Sequence, residues 1–187
     1  MRIVGGRLRG RTLAAPRSQA IRPTADRLRE SLFNILVHAY DDPITDARVL
    51  DLFAGTGALG IEALSRGAGF ALFVDDRAEA RALLRDNLTA LGLGGASRIF
   101  RRDATRLGAV HPIEPFALAF LDPPYGHGLA EQALISARDG GWLTSDALVV
   151  VEESAKSAFA APEGFAELER RGFDDTELIL MRCAAAG

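Results

Sequence analysis

The sequence predicts an α/β domain built on a doubly wound, mainly parallel sheet with helices on both faces. Three observations predict it. From Ala47 onward, short apolar runs of strand length alternate with longer segments of helical periodicity. Several of those runs are almost uninterrupted by polar residues, as strands covered on both faces are. The chain has 187 residues, 48% apolar and 25% charged, a balance that suits one domain with a sizeable core. Residues 1–187 are therefore expected to form a single domain, in which a basic hairpin-and-helix extension, residues 1–40, packs on a core of residues 41–187.

The elements follow in order. The glycine- and arginine-rich start has β-like stretches at Arg2–Val4 and Arg11–Ala14, able to pair as a small hairpin around Gly5, Gly6 and Gly10. A helix is expected from Ala25 to Ala39, because Leu28, Leu32, Ile35, Leu36 and Ala39 recur at helical spacing. Thr24 can cap it and Pro23 stops it from extending backwards. Strands are expected at Arg48–Phe53, Phe70–Val74, Arg98–Arg101, Phe116–Leu121 and Ala147–Val151. Helices fall between them at Thr56–Arg66, Arg77–Leu91 and Leu129–Arg138, the first two stopped by Gly67 and Gly92. Ala166–Arg171 and Thr176–Arg182 read as two final strands joined at Gly172–Asp175. Trp142 reads as core.

Charge is unevenly spread. The net charge is -3, yet residues 1–30 carry eight arginines against Asp26 and Glu30, a local +6 that leaves -9 for the remainder. A basic arm on an acidic body can grip a phosphate backbone locally, and Arg7, Arg9, Arg11, Arg22 and Arg27 are the candidate contacts. No apolar run reaches the length of a membrane span, and the start lacks a secretory pattern. Cys183 is the single cysteine, so no disulfide forms within the chain. A reducing, cytoplasmic location and a monomeric state are expected. Three scattered histidines with that cysteine make no metal site.

In sheets of this kind ligands sit at the carboxyl ends of the strands, so the residues just after each strand matter most. The first strand runs into Asp51-Leu52-Phe53-Ala54-Gly55-Thr56-Gly57-Ala58-Leu59-Gly60. Gly55 and Gly57 let the backbone turn tightly and approach a ligand closely. A glycine loop alone would equally suit a dinucleotide. Asp51 separates the two, because a carboxylate there repels a pyrophosphate but attracts the ammonium and sulfonium of S-adenosyl-L-methionine. Phe53 and Thr56 complete this loop. After the second strand, Asp75 is placed to accept both hydroxyls of a ribose, whereas Asp76 can serve as the start of the next helix. After the third, Asp103 and Ala104 can meet an adenine amine. Arg101, Arg102 and Arg106 either extend the basic face or are simply solvated.

The fourth strand ends in Asp122-Pro123-Pro124-Tyr125, the most specific short motif in the chain. An exocyclic amine on a nucleobase is a poor nucleophile, since its lone pair is delocalised into the ring. Asp122 and the carbonyl of Pro123 can accept hydrogen bonds from its two N–H groups and draw it toward tetrahedral geometry. Pro123 and Pro124 stiffen the backbone that holds those acceptors. Tyr125 offers a stacking face for a flipped or single-stranded base. Glu152-Glu153, at the end of the fifth strand, can approach a substrate or cap the strand, and His127 reads as surface.

Together these segments closely resemble the bacterial family of small-subunit ribosomal RNA guanine-N2 methyltransferases, RsmD-like enzymes of the class I S-adenosylmethionine-dependent type. The resemblance rests on RIVGGRLRGRTL, RPTADRLRESLFNIL at Arg22–Leu36, DLFAGTGALGIEALSRGA at Asp51–Ala68, DPPY at Asp122–Tyr125 and the tail GFDDTELILMR. It implies a Rossmann-like sheet of seven strands with the last antiparallel, and a guanine of 16S rRNA near the P site of the small subunit as target. It also implies that Arg22, Thr24 and Arg27 lie close to the cofactor and that the leader contacts RNA. Asp75 stands where the family often has the longer glutamate.

Four other readings compete. A DNA adenine-amine methyltransferase would share the Asp122–Tyr125 logic, but 187 residues leave no room for a large target-recognition domain. A protein-glutamine methyltransferase would not need the basic arm. A nicotinamide-dependent oxidoreductase conflicts with Asp51 and with Asp122–Tyr125. A non-catalytic assembly factor would not need an intact motif set.

Overall fold

The structure is a computed structural model that describes residues 1–16 and 23–184. Arg22 and the side chain of Thr24 lie outside the described residues. Within them, four α-helices and seven strands alternate: α1 (Pro23–Ala39), β1 (Arg48–Leu52), α2 (Ala58–Ser65), β2 (Phe70–Val74), α3 (Ala78–Ala90), β3 (Ser97–Phe100), β4 (Phe116–Leu121), α4 (Leu129–Asp139), β5 (Leu143–Ser154), β6 (Phe165–Phe173) and β7 (Thr176–Cys183). All seven strands join one sheet in the order β3-β2-β1-β4-β5-β7-β6.

The sheet is mixed. Strands β3, β2, β1, β4 and β5 pair in parallel, while β7 is inserted antiparallel between β5 and β6. The strand order reverses between β1 and β4, which opens a crevice at their carboxyl ends. Burial explains why β7 and not β6 lies inside. Leu178–Met181 are buried on both faces, whereas β6 carries Glu167, Glu169, Arg170 and Arg171 and suits a charged edge. β5 is longer than its apolar run Ala147–Val151. It begins at Leu143, where Thr144, Ser145 and Asp146 are polar and give no strand signal.

The two sheet faces are covered unequally. Val49, Ala71, Phe73, Leu118, Phe120, Val150 and Leu180 pack under α1, α2 and α3. Leu50, Leu72, Val74, Ala119, Leu121, Val149 and Ile179 pack under α4 and the segments around Leu107, Phe159 and Trp142. Trp142 is fully buried, stacked at 6.4 Å on Phe116, and its Nε1 donates to the Gly108 carbonyl at 2.7 Å.

The leader forms a short, irregular hairpin: an antiparallel bridge of Arg2 with Thr12, flanked by the Leu13 N–H donating to the Met1 carbonyl and the Ile3 N–H to the Arg11 carbonyl, both at 3.0 Å, and closed around a 3-10 turn at Gly6–Leu8. The ladder stops because the neighbouring amides are turned to side chains of the core. Val4 N–H donates to Glu62 Oε2 at 2.9 Å, Leu8 N–H to Ser65 Oγ at 3.0 Å, and Ala14 N–H to Asn87 Oδ1 at 2.8 Å. This also explains α2, whose residues Gly60–Ser65 are all buried: the leader covers the face that would otherwise meet water. Gly6 permits the contact, since a Cβ there would lie 2.0 Å from the Ser65 carbonyl oxygen.

Candidate active site

A cleft of about 940 Å³ opens at the carboxyl ends of β1, β2 and β4, within the range of small-molecule sites. It collects residues far apart in sequence. Asp51, Phe53, Gly55 and Thr56 come from β1 and its loop, Asp75 and Asp76 from the end of β2, and Asp103 and Ala104 from the end of β3. Asp122 to Tyr125 come from the end of β4, and Leu28 and Arg29 from α1. Gly57 shapes the loop from behind without lining the cleft.

The floor is Asp51, the fourth residue of β1 and 2% exposed. Its Oδ2 accepts the Gly60 N–H at 2.9 Å. Burial pushes its pKa up to about 8. The Gly60 hydrogen bond opposes that shift, and the negative charge of Asp75 adds to it. A desolvated carboxyl at the base of an open cleft has a strong electrostatic reason to receive a cation. After β1 the chain turns sharply, with Phe53 at φ 60°, Gly55 at 56° and Gly57 at 81°. Holding Phe53 there costs on the order of 1–2 kcal/mol, and such strain concentrates at functional loops. Gly57 also has no room for a side chain, as its Cβ would sit 2.3 Å from Leu84 Cδ1.

Asp75 is 4% exposed and faces the same turn. Its Oδ2 accepts the Gly55 N–H at 2.9 Å and its Oδ1 the Arg77 N–H at 3.0 Å. The Arg77 side chain adds two more donors, Nε to Oδ1 at 3.0 Å and Nη2 to Oδ2 at 2.8 Å. Burial raises the pKa of Asp75, but these bonds and the Arg77 charge outweigh it and hold the carboxyl below its ordinary value. Asp76 and Asp103 are exposed at the rim. Asp103 accepts the Thr105 N–H at 2.8 Å and hydroxyl at 2.7 Å, which lowers its pKa and caps a short 3-10 turn.

The loop after β4 is anchored to β5. Pro123 is buried, while Asp122, Pro124 and Tyr125 are exposed to the cleft. The Tyr125 hydroxyl donates to Glu152 Oε1 at 2.9 Å, and the Gly126 N–H donates to Glu153 Oε1 at 3.2 Å. Burial, then the charges of Glu152 and Asp122, raise the Tyr125 pKa. The ring is therefore a neutral face of fixed orientation.

The predicted arginines divide. Arg7, Arg9 and Arg27 are exposed and lie outside the cleft lining. Arg11 is exposed too, but its Nη2 donates at 3.1 Å to the Ala90 carbonyl at the end of α3. Arg102 is engaged with the Leu107 carbonyl and lies over the Phe100 and Trp142 rings. Arg29, one of the eight leader arginines, is 4% exposed. It binds Asp26, the Arg2 carbonyl and, at 3.6 Å, the fully buried Glu62. Three features had no clear signal in the sequence: the fork of Arg77 on Asp75, the pin of Glu152 on Tyr125, and the amide of Asn87. Asn87 holds Ala14 and the Thr56 carbonyl at once, tying the leader to the glycine loop. A polar residue facing the core from an amphipathic helix was the one available hint of Asn87.

The family described as Conserved hypothetical protein 95 matches residues 1–182. Ribosomal RNA small subunit methyltransferase D of Escherichia coli (strain K12) is 44% identical over 158 residues, 84% of this chain and 76% of that protein. The protein of the same name from Haemophilus influenzae is 34% identical over 173 residues, 91% and 88% of the two chains. Among solved structures, the Escherichia coli protein yhhF superposes with a TM-score of 0.83 at 33% identity, covering 100% of this chain and 99% of its own. With the matched profile spanning nearly every residue and the glycine loop and Asp122–Tyr125 sharing one cleft, the chain belongs to the Conserved hypothetical protein 95 family, the family of RsmD-like methyltransferases.

Proposed function

We propose that the protein transfers a methyl group from S-adenosyl-L-methionine to the exocyclic N2 amine of a guanine in 16S rRNA, with the small ribosomal subunit as substrate. Methylation of 16S rRNA follows from the family, through the rRNA methyltransferases to which this chain is 44% and 34% identical. One observation carries the choice of an amine: the acceptors of Asp122 and Pro123 open onto the same cleft as Asp51 and Asp75.

The cleft residues fit the cofactor. Asp51 supplies a buried carboxyl for the ammonium, Asp75 two oxygens for the ribose, and Asp103 with Ala104 the polar edge for the adenine. When bound, the cofactor supplies a methyl group already activated by its sulfonium, so the chain's own residues need only orient the acceptor. Asp122 and the Pro123 carbonyl accept the two N–H groups of the amine and point its lone pair at the incoming carbon. Proline on both sides of that carbonyl keeps it from relaxing. Tyr125 stacks on the base and Glu152 holds its ring in place. Arg7, Arg9 and Arg27 contact phosphates outside the cleft. Arg22 is assigned the same role from sequence alone.

We further infer a monomer acting in the cytoplasm. Among the described residues no helix is long and apolar enough to cross a membrane, and no cluster of His, Cys, Asp and Glu could hold a metal.

The test is methyl transfer from labelled S-adenosylmethionine to small subunits from cells lacking this gene, followed by digestion to nucleosides. Label in N2-methylguanosine that disappears with Asp122→Ala supports the reading. Label in DNA adenine or in protein glutamine, with none in guanosine, overturns the substrate.

A further inference from the structure

The carboxylate of Asp75 has no acceptor capacity left. A carboxylate offers about four lone-pair positions, and four donors use them: the Gly55 N–H, the Arg77 N–H, and Arg77 Nε and Nη2. Two of these are backbone groups fixed by the turn after β1 and the start of α3. The other two belong to one side chain that is 62% exposed, and so is free to leave into solvent. The fork of a guanidinium and a vicinal diol present paired donors at similar spacing, and both suit the two oxygens of one carboxylate.

We propose that Arg77 is a latch on the ribose site: its guanidinium occupies the two positions of Asp75 that the ribose hydroxyls require, and an adenosyl ligand binds by displacing it. The proposal rests on the cofactor reading above. The released guanidinium has somewhere to go. Asp76 and Asp122 both act on it electrostatically from the cleft rim, so it stays at the mouth when its bond to Asp75 breaks. Asp75 keeps its orientation throughout, because the Gly55 and Arg77 backbone amides hold it in either state. Arg81 adds a further tie, donating from Nη1 to the Asp75 carbonyl at 3.1 Å.

The latch has a measurable cost to binding. An ion pair with one exposed partner is weak and its bidentate form somewhat stronger, so its removal should tighten ligand binding about two- to tenfold. The experiment is calorimetric titration of the full chain with S-adenosylhomocysteine, with 5′-methylthioadenosine, and with methionine alone. Arg77→Ala is expected to tighten the first two by that factor and to leave methionine unchanged. Arg77→Lys cannot fork and is expected to fall between the variant and the parent. Unchanged or weaker binding of S-adenosylhomocysteine to Arg77→Ala overturns the latch while leaving the cofactor assignment intact. Failure of the parent protein to bind either adenosyl ligand overturns the cofactor reading, and the latch with it.

Discussion

Asp51 and Gly60 are joined across the glycine loop: the carboxyl at the base of the cleft accepts the amide of the helix that follows, at 2.9 Å. That hydrogen bond fixes which way the carboxyl faces but does not pay for its burial. With a pKa near 8, Asp51 is largely protonated at neutral pH in the free protein, whereas beside a bound ammonium it must ionise. Binding of S-adenosylhomocysteine should therefore release a proton and tighten as pH rises from 6 toward about 8. Calorimetry in buffers of different ionisation enthalpy reads the proton count directly. A pH-independent affinity with no proton released would remove Asp51 as the cation's partner.

The same carboxyl links stability to pH. Its folded pKa lies above the value of 3.8 for a free aspartate, so between pH 4 and about 8 the folded state holds a proton that the unfolded chain has lost. Stability contributed by that proton falls as pH rises through the window, in total on the order of a few kcal/mol. Asp51→Asn keeps an acceptor for the Gly60 N–H and cannot ionise. It should be more stable than the parent at pH 8, with the advantage shrinking toward pH 4, while binding cofactor less well. Urea denaturation of both proteins at three pH values is the check, and a difference constant with pH would contradict it.

Tyr125 should act through its ring and its hydroxyl separately. Tyr125→Ala removes the stacking face, worth about 1–3 kcal/mol per base, and should lower kcat/KM for the RNA by roughly 5- to 150-fold. Tyr125→Phe keeps the face and loses the hydroxyl's bonds to Glu152 and Thr176, each a net hydrogen bond of about 0.5–1.5 kcal/mol, so its loss should be smaller. Glu152→Gln, which still accepts the hydroxyl, should lie nearest the parent. Equal losses in the alanine and phenylalanine variants would assign the residue to loop structure and not to stacking.

What was legible in the sequence divides by the range of the interaction. Phe70–Val74 and Phe116–Leu121 have the observed bounds because a buried parallel strand announces itself as an apolar run. Asp75 and Asp122 stand out because each follows such a run, and Asp51 because it stands just ahead of the glycine loop; the sheet then brings those strand ends together. The short pairing of the leader is signalled by its glycines, but what ends that pairing is not local: the amides of Val4, Leu8 and Ala14 are satisfied by Glu62, Ser65 and Asn87, dozens of residues away. The separate role of Arg29 is hidden from the sequence for the same reason. Net charge cannot tell that Arg29 is buried against Glu62 while Arg7 is exposed.

Gly6 and Gly10 separate steric need from backbone conformation. Both have positive φ, 72° and 84°. An added Cβ at Gly10 meets nothing within 4 Å, but at Gly6 it meets the Ser65 carbonyl. Gly10→Ala should cost only the left-handed conformation, about 1–2 kcal/mol. Gly6→Ala should detach the leader from α2 and cost more. Limited proteolysis of the first 16 residues, alongside thermal melting, distinguishes them, and equal sensitivity in the two variants would show that the leader does not depend on this contact.

Arg29 and the exposed leader arginines should fail in different ways. Arg29→Ala strips one partner from a buried charge network that includes Glu62 and Asp26, so it should destabilise the fold by about 3–5 kcal/mol. Retained pairing of Glu62 with Arg66 at 2.8 Å favours the lower end of that range. Neutralising Arg7, Arg9 and Arg27 together should leave the melting temperature nearly unchanged, because exposed charges away from such networks contribute little. It should weaken RNA binding instead and flatten its salt dependence. Each lost phosphate contact reduces the slope of log K against log salt by roughly 0.7–0.9, so the triple variant should lose about 2 to 3 in slope. An unaltered slope would mean that RNA meets another face of the protein, leaving the exposed Arg101 and Arg106 as the next residues to neutralise.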